Sequence, residues 1–327
     1  MLLSFFKTLK PAALLLLPVA AIVLWSFSFI KVPIITIENS MPFYKSAVQL
    51  FGYFPIVLQI MGVILLVLQA LLFNKMIIEH HLLASKTYVP ALIYILLMSC
   101  TPTLLFAHPA LFSNFFLIIA LNRLFATYRA ESVFTKVYDA GLYTGLASLF
   151  YLPALFMLPF LWVALAILRP FVWREWVISF MGLVTPYFFV FTYYYWFSEL
   201  DVMAGFFEVN ESLATNVQIT VTHSIFVLAA GAGAGLLMGI KTLRKELASS
   251  VVKVKNFYVV LNCFLIFSII PVAVNFNLQL FNFAAAGIPV SIYLSNFFSK
   301  TKHPVVEEIV FYIFLGSIIY TQVVNMG

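Results

Sequence analysis

The chain has 327 residues, of which 64% are hydrophobic and 9% charged, and its formal net charge is +6. Soluble globular domains carry about 25% charged residues, so this composition excludes a soluble globule and leaves a polytopic, all-α transmembrane bundle. The excess of Lys and Arg does not imply a nucleic-acid partner, because no basic, aromatic-interleaved patch lies outside short loops; it reads as topology-setting charge beside anionic membrane lipids.

At the N-terminus, Lys7 and Lys10 precede about 20 apolar residues. The run is longer than a signal-peptide core and lacks a small-x-small cleavage site. It therefore predicts an uncleaved first helix over roughly 11–30, with a cytoplasmic N-terminus. A first outer loop, 31–45, leads to a span over 46–73 and an inner loop with Lys75, His80, His81 and Lys86. From Thr87 to Asn122 there are 36 uncharged residues, enough for two spans, with Ala107-His108-Pro109 as an outward turn. Arg123, Arg129 and Lys136 mark the next inner loop.

Between Asp139 and Arg169 lie 29 residues without formal charge, and between Glu175 and Glu199 another 23. Each run is long enough to cross roughly 30 Å of hydrocarbon at about 1.5 Å per residue. Basic residues flank 140–168 on both sides, which favours a hairpin broken at Pro153 over one tilted helix. Two half-length helices meeting at a proline are tolerated where they are buried or line a cavity, so an outward-opening cavity is expected there.

The segment 198–216 is an acidic outer loop with Glu199, Asp201, Glu208 and Glu211. A span over about 220–240 holds His223 and the Gly231–Gly235 run and ends at the basic loop 241–255. The 44 uncharged residues from Asn256 to Ser299 give two more spans, and a last helix covers about 306–324. The expected total is about eleven spans in a single membrane domain, seven within 1–197 and four within 198–327. This arrangement puts 16 of the 18 Lys and Arg inside and leaves Lys31 and Lys45 outside, in accord with the positive-inside bias. No internal repeat or soluble domain is visible, and formal charge within the spans is nearly absent, which weighs against a transporter.

Few residues offer chemistry. Glu38, in the first outer loop, is a candidate general base toward an acceptor hydroxyl, with Lys31 and Lys45 placed to meet a phosphate leaving group; the bland alternative is a solvated loop charge. His108 is a candidate proton carrier at the outer surface, although a histidine at a turn is more often interfacial. Glu199 and Asp201, two residues apart, form a weak candidate site for a divalent cation; a solvated acidic rim explains them as well. His223 is an intramembrane ionisable group and so a default candidate. Gly141 and Gly145, like Gly231 and Gly235, have the four-residue spacing of close helix packing. Cys100 and Cys263 lie in apolar runs and suggest neither a disulfide framework nor a metal site.

The runs Asp139-Ala140-Gly141-Leu142-Tyr143-Thr144-Gly145-Leu146-Ala147-Ser148-Leu149-Phe150-Tyr151-Leu152-Pro153, Arg169-Pro170-Phe171-Val172-Trp173-Arg174-Glu175-Trp176 and Gly182-Leu183-Val184-Thr185-Pro186-Tyr187 resemble a multipass inner-membrane family of the Bacteroidota, a resemblance that implies no activity by itself. More loosely, the order of first helix, acid-bearing outer loop, short paired spans and basic inner elbow over residues 1–197 resembles the membrane core of GT-C glycosyltransferases. That resemblance implies a bacterial inner-membrane transferase that uses a polyprenyl-phosphate-linked sugar donor on the extracytoplasmic face, with Glu38 as base. The first loop is short and has no paired aspartates, there is no outward arginine, and no soluble domain is present. These departures keep open a non-catalytic subunit of a secretion, translocation or envelope-assembly complex, with other membrane protein subunits as partners.

Overall fold

The computed structural model describes residues 2–30, 40–51, 54–206, 233, 235–236, 239–244, 247–248, 250–275, 280–300 and 304–326. Helix accounts for most of these residues, and no strand occurs among them. In chain order the helices are α1 Leu2–Phe6, α2 Pro11–Ile30, α3 Pro42–Phe51, α4 Pro55–Glu79, α5 Val89–Met98, α6 Pro109–Phe125, α7 Phe134–Phe150, α8 Met157–Leu168, α9 Trp173–Trp196, α10 Leu200–Gly205, α11 Val252–Asn275, α12 Gly287–Lys300 and α13 Pro304–Met326. Three 3₁₀ turns, Pro102–Leu104, Leu152–Phe156 and Leu280–Ala286, join neighbouring helices.

Five stretches among the described residues are long and apolar enough to cross a membrane: Pro55–Glu79, Trp173–Trp196, Val252–Pro271, Phe281–Ser299 and Val305–Val324. The chain is thus an all-α protein built on membrane-length helices. The expectation of about eleven spans, the two short hairpin helices included, is not met by these five, in part because counting uncharged runs ignores prolines. Pro102 and Pro109 divide 87–122, and Pro55 starts a helix inside 46–73. Proline lacks an N–H and pushes the preceding residue out of helical geometry, so helices stop where the apolar run continues. The shorter apolar helices, such as Val89–Met98 and Pro109–Phe125, are 10–17 residues long. Most of the span expected over 220–240, with His223 and Gly231, lies outside the described residues.

At 140–168 the chain breaks at Tyr151, whose extended backbone (φ −146°, ψ 104°) precedes the turn carrying Pro153. The two halves form a hairpin. Arg169, at the end of α8, donates to the carbonyls of Thr127 (3.1 Å) and Ala130 (3.0 Å), just before α7. Both ends of the pair therefore lie at one level.

Long-range contacts sort the loops into two ends. At one end Tyr88 N–H donates to Phe6 O (2.9 Å), Tyr258 Oη to Leu82 O (2.9 Å), and Lys7 pairs with buried Glu307. At the other, Tyr44 Oη donates to Ala107 O (3.0 Å), Tyr151 Oη to Asn282 (2.6 Å) and Asn114 to Ala284 O (3.0 Å). The first end collects Lys7, Arg123, Arg169 and Lys253; the second holds Lys45, Glu199 and Asp201. Between them α5 is buried on nearly every side, as a helix that is apolar all round must be. Buried polar side chains tie the helices around it: Tyr94 Oη donates to Gln69 (2.7 Å), Gln69 to Leu111 O (2.8 Å), Trp25 to Ser99 (3.1 Å) and Gln322 to Ser99 O (2.7 Å).

The closest helix contact is α7 against α9. A Cβ on Gly141 would stand 2.0 Å from Ser179 O, one on Gly145 2.5 Å from Leu183 O, and one on Gly182 2.3 Å from Tyr138 O. The backbones touch, which the four-residue glycine spacing permits. Gly141→Leu should lower the melting temperature in detergent by the equivalent of at least about 1–3 kcal/mol, the typical cost of overpacking. Gly316→Ala, at a position with nothing within 4 Å, should leave it unchanged; equal losses in both would remove the contact's special status.

His80 caps the C-terminal end of α4 at the basic end, between the rings of Phe125 and Phe257, with Nε2 2.7 Å from Asn122 Oδ1. Burial lowers its pKa below the ordinary 6.5, against the opposing pull of the Asn122 bond and Glu79. The folded form thus keeps a neutral ring where the unfolded chain would protonate. The contribution is present above about pH 6.5 and is lost as pH falls toward the lowered folded value, at no more than about 1.4 kcal/mol per pH unit. The melting temperature should accordingly drop between pH 7.5 and pH 5, and His80→Gln should flatten that slope.

Candidate functional site

At the end opposite the basic loops, α3, α9 and α10 wall a hollow of about 480 Å³. Its first wall is α3, an amphipathic helix of nearly three turns opened by Pro42. Pro42, Tyr44 and Val48 are buried, and Tyr44 is anchored by its hydrogen bond to Ala107 O and by edge contact with Phe112 (5.9 Å). With that face fixed, Lys45, Ser46 and Gln49 are turned toward the hollow. The Lys45 ammonium stands 5.5 Å from the Phe206 ring centroid, and the Ser46 hydroxyl donates to Pro42 O (2.8 Å).

The second wall is the end of α9, where Phe189, Val190, Tyr193 and Tyr194 share one face. The helix then closes in a Schellman motif. Ser198 adopts left-handed geometry (φ 57°), its N–H bonds Tyr195 O (3.2 Å), and Glu199 N–H bonds Tyr194 O (2.9 Å). These bonds fix the Glu199 backbone and turn its side chain toward the hollow. The chain folds back as α10, whose following residue Phe206 packs on Tyr194 at 5.6 Å. Through Val190 the lining joins a buried apolar cluster of Met41, Leu149, Val190 and Phe206.

The hollow therefore brings together Lys45 and Glu199, which the sequence assigned to separate roles. They carry opposite charge and form no ion pair with one another among the described residues. Asp201 does not join them; it lines a second hollow of about 490 Å³ with Tyr195, Trp196 and Ser198, beyond the turn. Among the described residues no group of three or more His, Cys, Asp or Glu could hold a metal ion. Glu38 and Lys31 lie outside the described residues.

The expected outward-facing His108 is a correction: the residue is 0% exposed. It is the N-cap of α6, with Nδ1 accepting the Leu111 N–H (3.0 Å) and its ring stacked on Phe281. A cap must follow the helix it serves inward, and α6 starts inside the bundle. At the hairpin, Phe150 packs on Phe112 (5.4 Å), Phe116 (5.5 Å) and Phe43 (5.5 Å), and the hollow opens beside that cluster, with Phe43 in its lining. Tyr193, Tyr194, Gln49 and Phe206 were not expected from sequence. The i, i+4 pair Lys45 and Gln49 was the available signal.

No family model matches the chain, and neither a curated protein nor a solved structure matches it.

If His108 serves as a cap, His108→Asn, whose side-chain oxygen accepts the same N–H, should keep the melting temperature within a few tenths of a kcal/mol, while His108→Ala should cost about 1 kcal/mol. Equal losses in the two variants would point to a role beyond capping.

Proposed function

We propose that this protein is a multi-pass protein of the bacterial inner membrane that seats the phosphate of a polyprenyl-linked sugar beside Lys45, as a GT-C-like glycosyltransferase does on the extracytoplasmic face. The observation that carries the proposal is a cation in a hollow with apolar and aromatic walls, at the end of the bundle opposite the basic loops. In this reading the basic end is cytoplasmic, the N-terminus included, and the arrangement of about eleven spans counts half-length helices and the segment near 220–240.

An ammonium with low-dielectric walls attracts a phosphate more strongly than one in open water. The exposed rings of Phe188 and Phe189 beside the hollow suit an isoprenoid tail. Glu38 remains the proposed base. His108, serving as a helix cap, is assigned no step, and no divalent cation is required by the residues gathered here.

A second reading, a non-catalytic subunit of a secretion, translocation or envelope-assembly complex, draws on α9. It is the least buried of the membrane-length helices, 28% against 67% for Phe281–Ser299, and Trp196 at its end is 81% exposed. Such a face suits another membrane protein as well as lipid.

Two variants separate the readings. Lys45→Gln should weaken stabilisation of the purified protein by undecaprenyl phosphate about tenfold in concentration. Glu38→Gln, in cells, should remove a glycan product at normal protein level. An unaltered glycan profile with Glu38→Gln ends the transferase assignment and favours the subunit; unchanged binding with Lys45→Gln ends the phosphate assignment.

A further inference from the structure

The hollow between α3 and α9 is chemically polarised. Its α3 wall offers hydrogen-bond donors suited to a phosphate, the Lys45 ammonium and the Gln49 amide, while the opposite wall offers groups suited to a cation, the Glu199 carboxylate and the faces of Tyr193 and Tyr194. A ligand that is only an anion satisfies the first wall and leaves the second unused. The two charges form no ion pair with one another among the described residues, so a ligand need not break one to bind either. The backbone of each wall is held: α3 is pinned through Tyr44, and the Glu199 backbone by the turn at Ser198.

We infer that this hollow also takes a lipid that carries both charges, a phosphodiester bound by Lys45 and, a few bonds away, an ammonium bound by Glu199 and the adjacent tyrosine rings. This rests on the reading that a lipid phosphate sits at Lys45, and it adds to the polyprenyl-linked donor a second lipid class for that position, a zwitterionic phospholipid. Ion pairing and cation–π attraction act on the ammonium together, since the aromatic faces and the carboxylate share one wall. The volume, about 480 Å³, lies within the ~300–1,000 Å³ of small-ligand sites, and the exposed Phe189 ring, 68% accessible, gives the acyl chains an apolar exit. An ethanolamine headgroup has this charge pattern; a glycerol headgroup of similar size keeps the phosphate and lacks the ammonium.

The test uses the delipidated full-length chain in detergent and counts bound lipid by native mass spectrometry. Equimolar phosphatidylethanolamine and phosphatidylglycerol compete, and undecaprenyl phosphate is assayed in parallel. The native chain should prefer phosphatidylethanolamine on the order of tenfold, the worth of one charge-assisted contact. Glu199→Gln should erase the preference and leave undecaprenyl phosphate bound at least as well. Asp201→Asn, which alters the neighbouring hollow, should keep it. Lys45→Gln should weaken all three lipids.

Equal binding of the two phospholipids by the native chain, with Lys45→Gln still weakening undecaprenyl phosphate, would overturn the zwitterion and leave the phosphate reading standing. Equal loss of preference in Asp201→Asn and Glu199→Gln would also overturn it, since surface charge alone would then explain the effect. If Lys45→Gln changes nothing for any lipid, the phosphate reading itself falls.

Discussion

The architecture of the candidate site depends on the backbone contact between α7 and α9. With glycines at 141, 145 and 182, the two helices approach until carbonyl oxygens of one meet Cα atoms of the other, a packing that supplies van der Waals contact where lipid offers no hydrophobic driving force. The approach continues to the ends of both helices and sets Leu149 beside Val190. On that pair rest Met41, which leads into α3, and Phe206, which follows α10. The hollow is the gap left when two amphipathic pieces are laid across the end of one tightly joined helix pair. Widening the contact by the size of a methyl group would separate its walls.

A second constraint explains why so many helices are short. Inside hydrocarbon every backbone group needs a partner, so a helix that ends within the bundle must bring caps with it. α6 brings His108, and the hairpin tip brings the 3₁₀ turn at Leu152–Phe156. Gln59, Gln69 and Asn114 extend the same logic sideways, each donating to a backbone carbonyl of another segment. Such bonds contribute modestly, about 0.6 kcal/mol on average in membranes. Their larger effect is to fix which helix sits against which, since a wrong register would strand a polar group.

The helical class and the membrane-length helices were legible because they follow from composition and from runs without charge, and the break at Pro153 was legible because proline dictates it locally. The number of full spans was not, since an uncharged run of 36 residues looks the same whether it holds two spans or a 10-residue and a 17-residue helix around an interior turn. His108 was misread for the same reason: a histidine before a proline marks a helix start equally well at the surface and in the core. The pairing of Lys45 with Glu199 in one hollow could not be read, because 153 residues separate them in the chain and the turn that aims Glu199 uses Ser198 where the familiar signal is glycine.

The two charges of the hollow also bear on each other. A lysine at the end away from the basic loops runs against the distribution that orients the rest of the chain, so its local surroundings must make it tolerable. Phe206 does so from below, with its ring 5.5 Å from the ammonium, and Glu199 does so from the facing wall at longer range. Each charge is carried on its own anchored piece of backbone, α3 through the Tyr44 bond to Ala107 O and Glu199 through the turn at Ser198. Opposite charges kept apart in this way leave both with unused capacity, and a molecule that bridges them gains two charge-assisted contacts without first separating a pair.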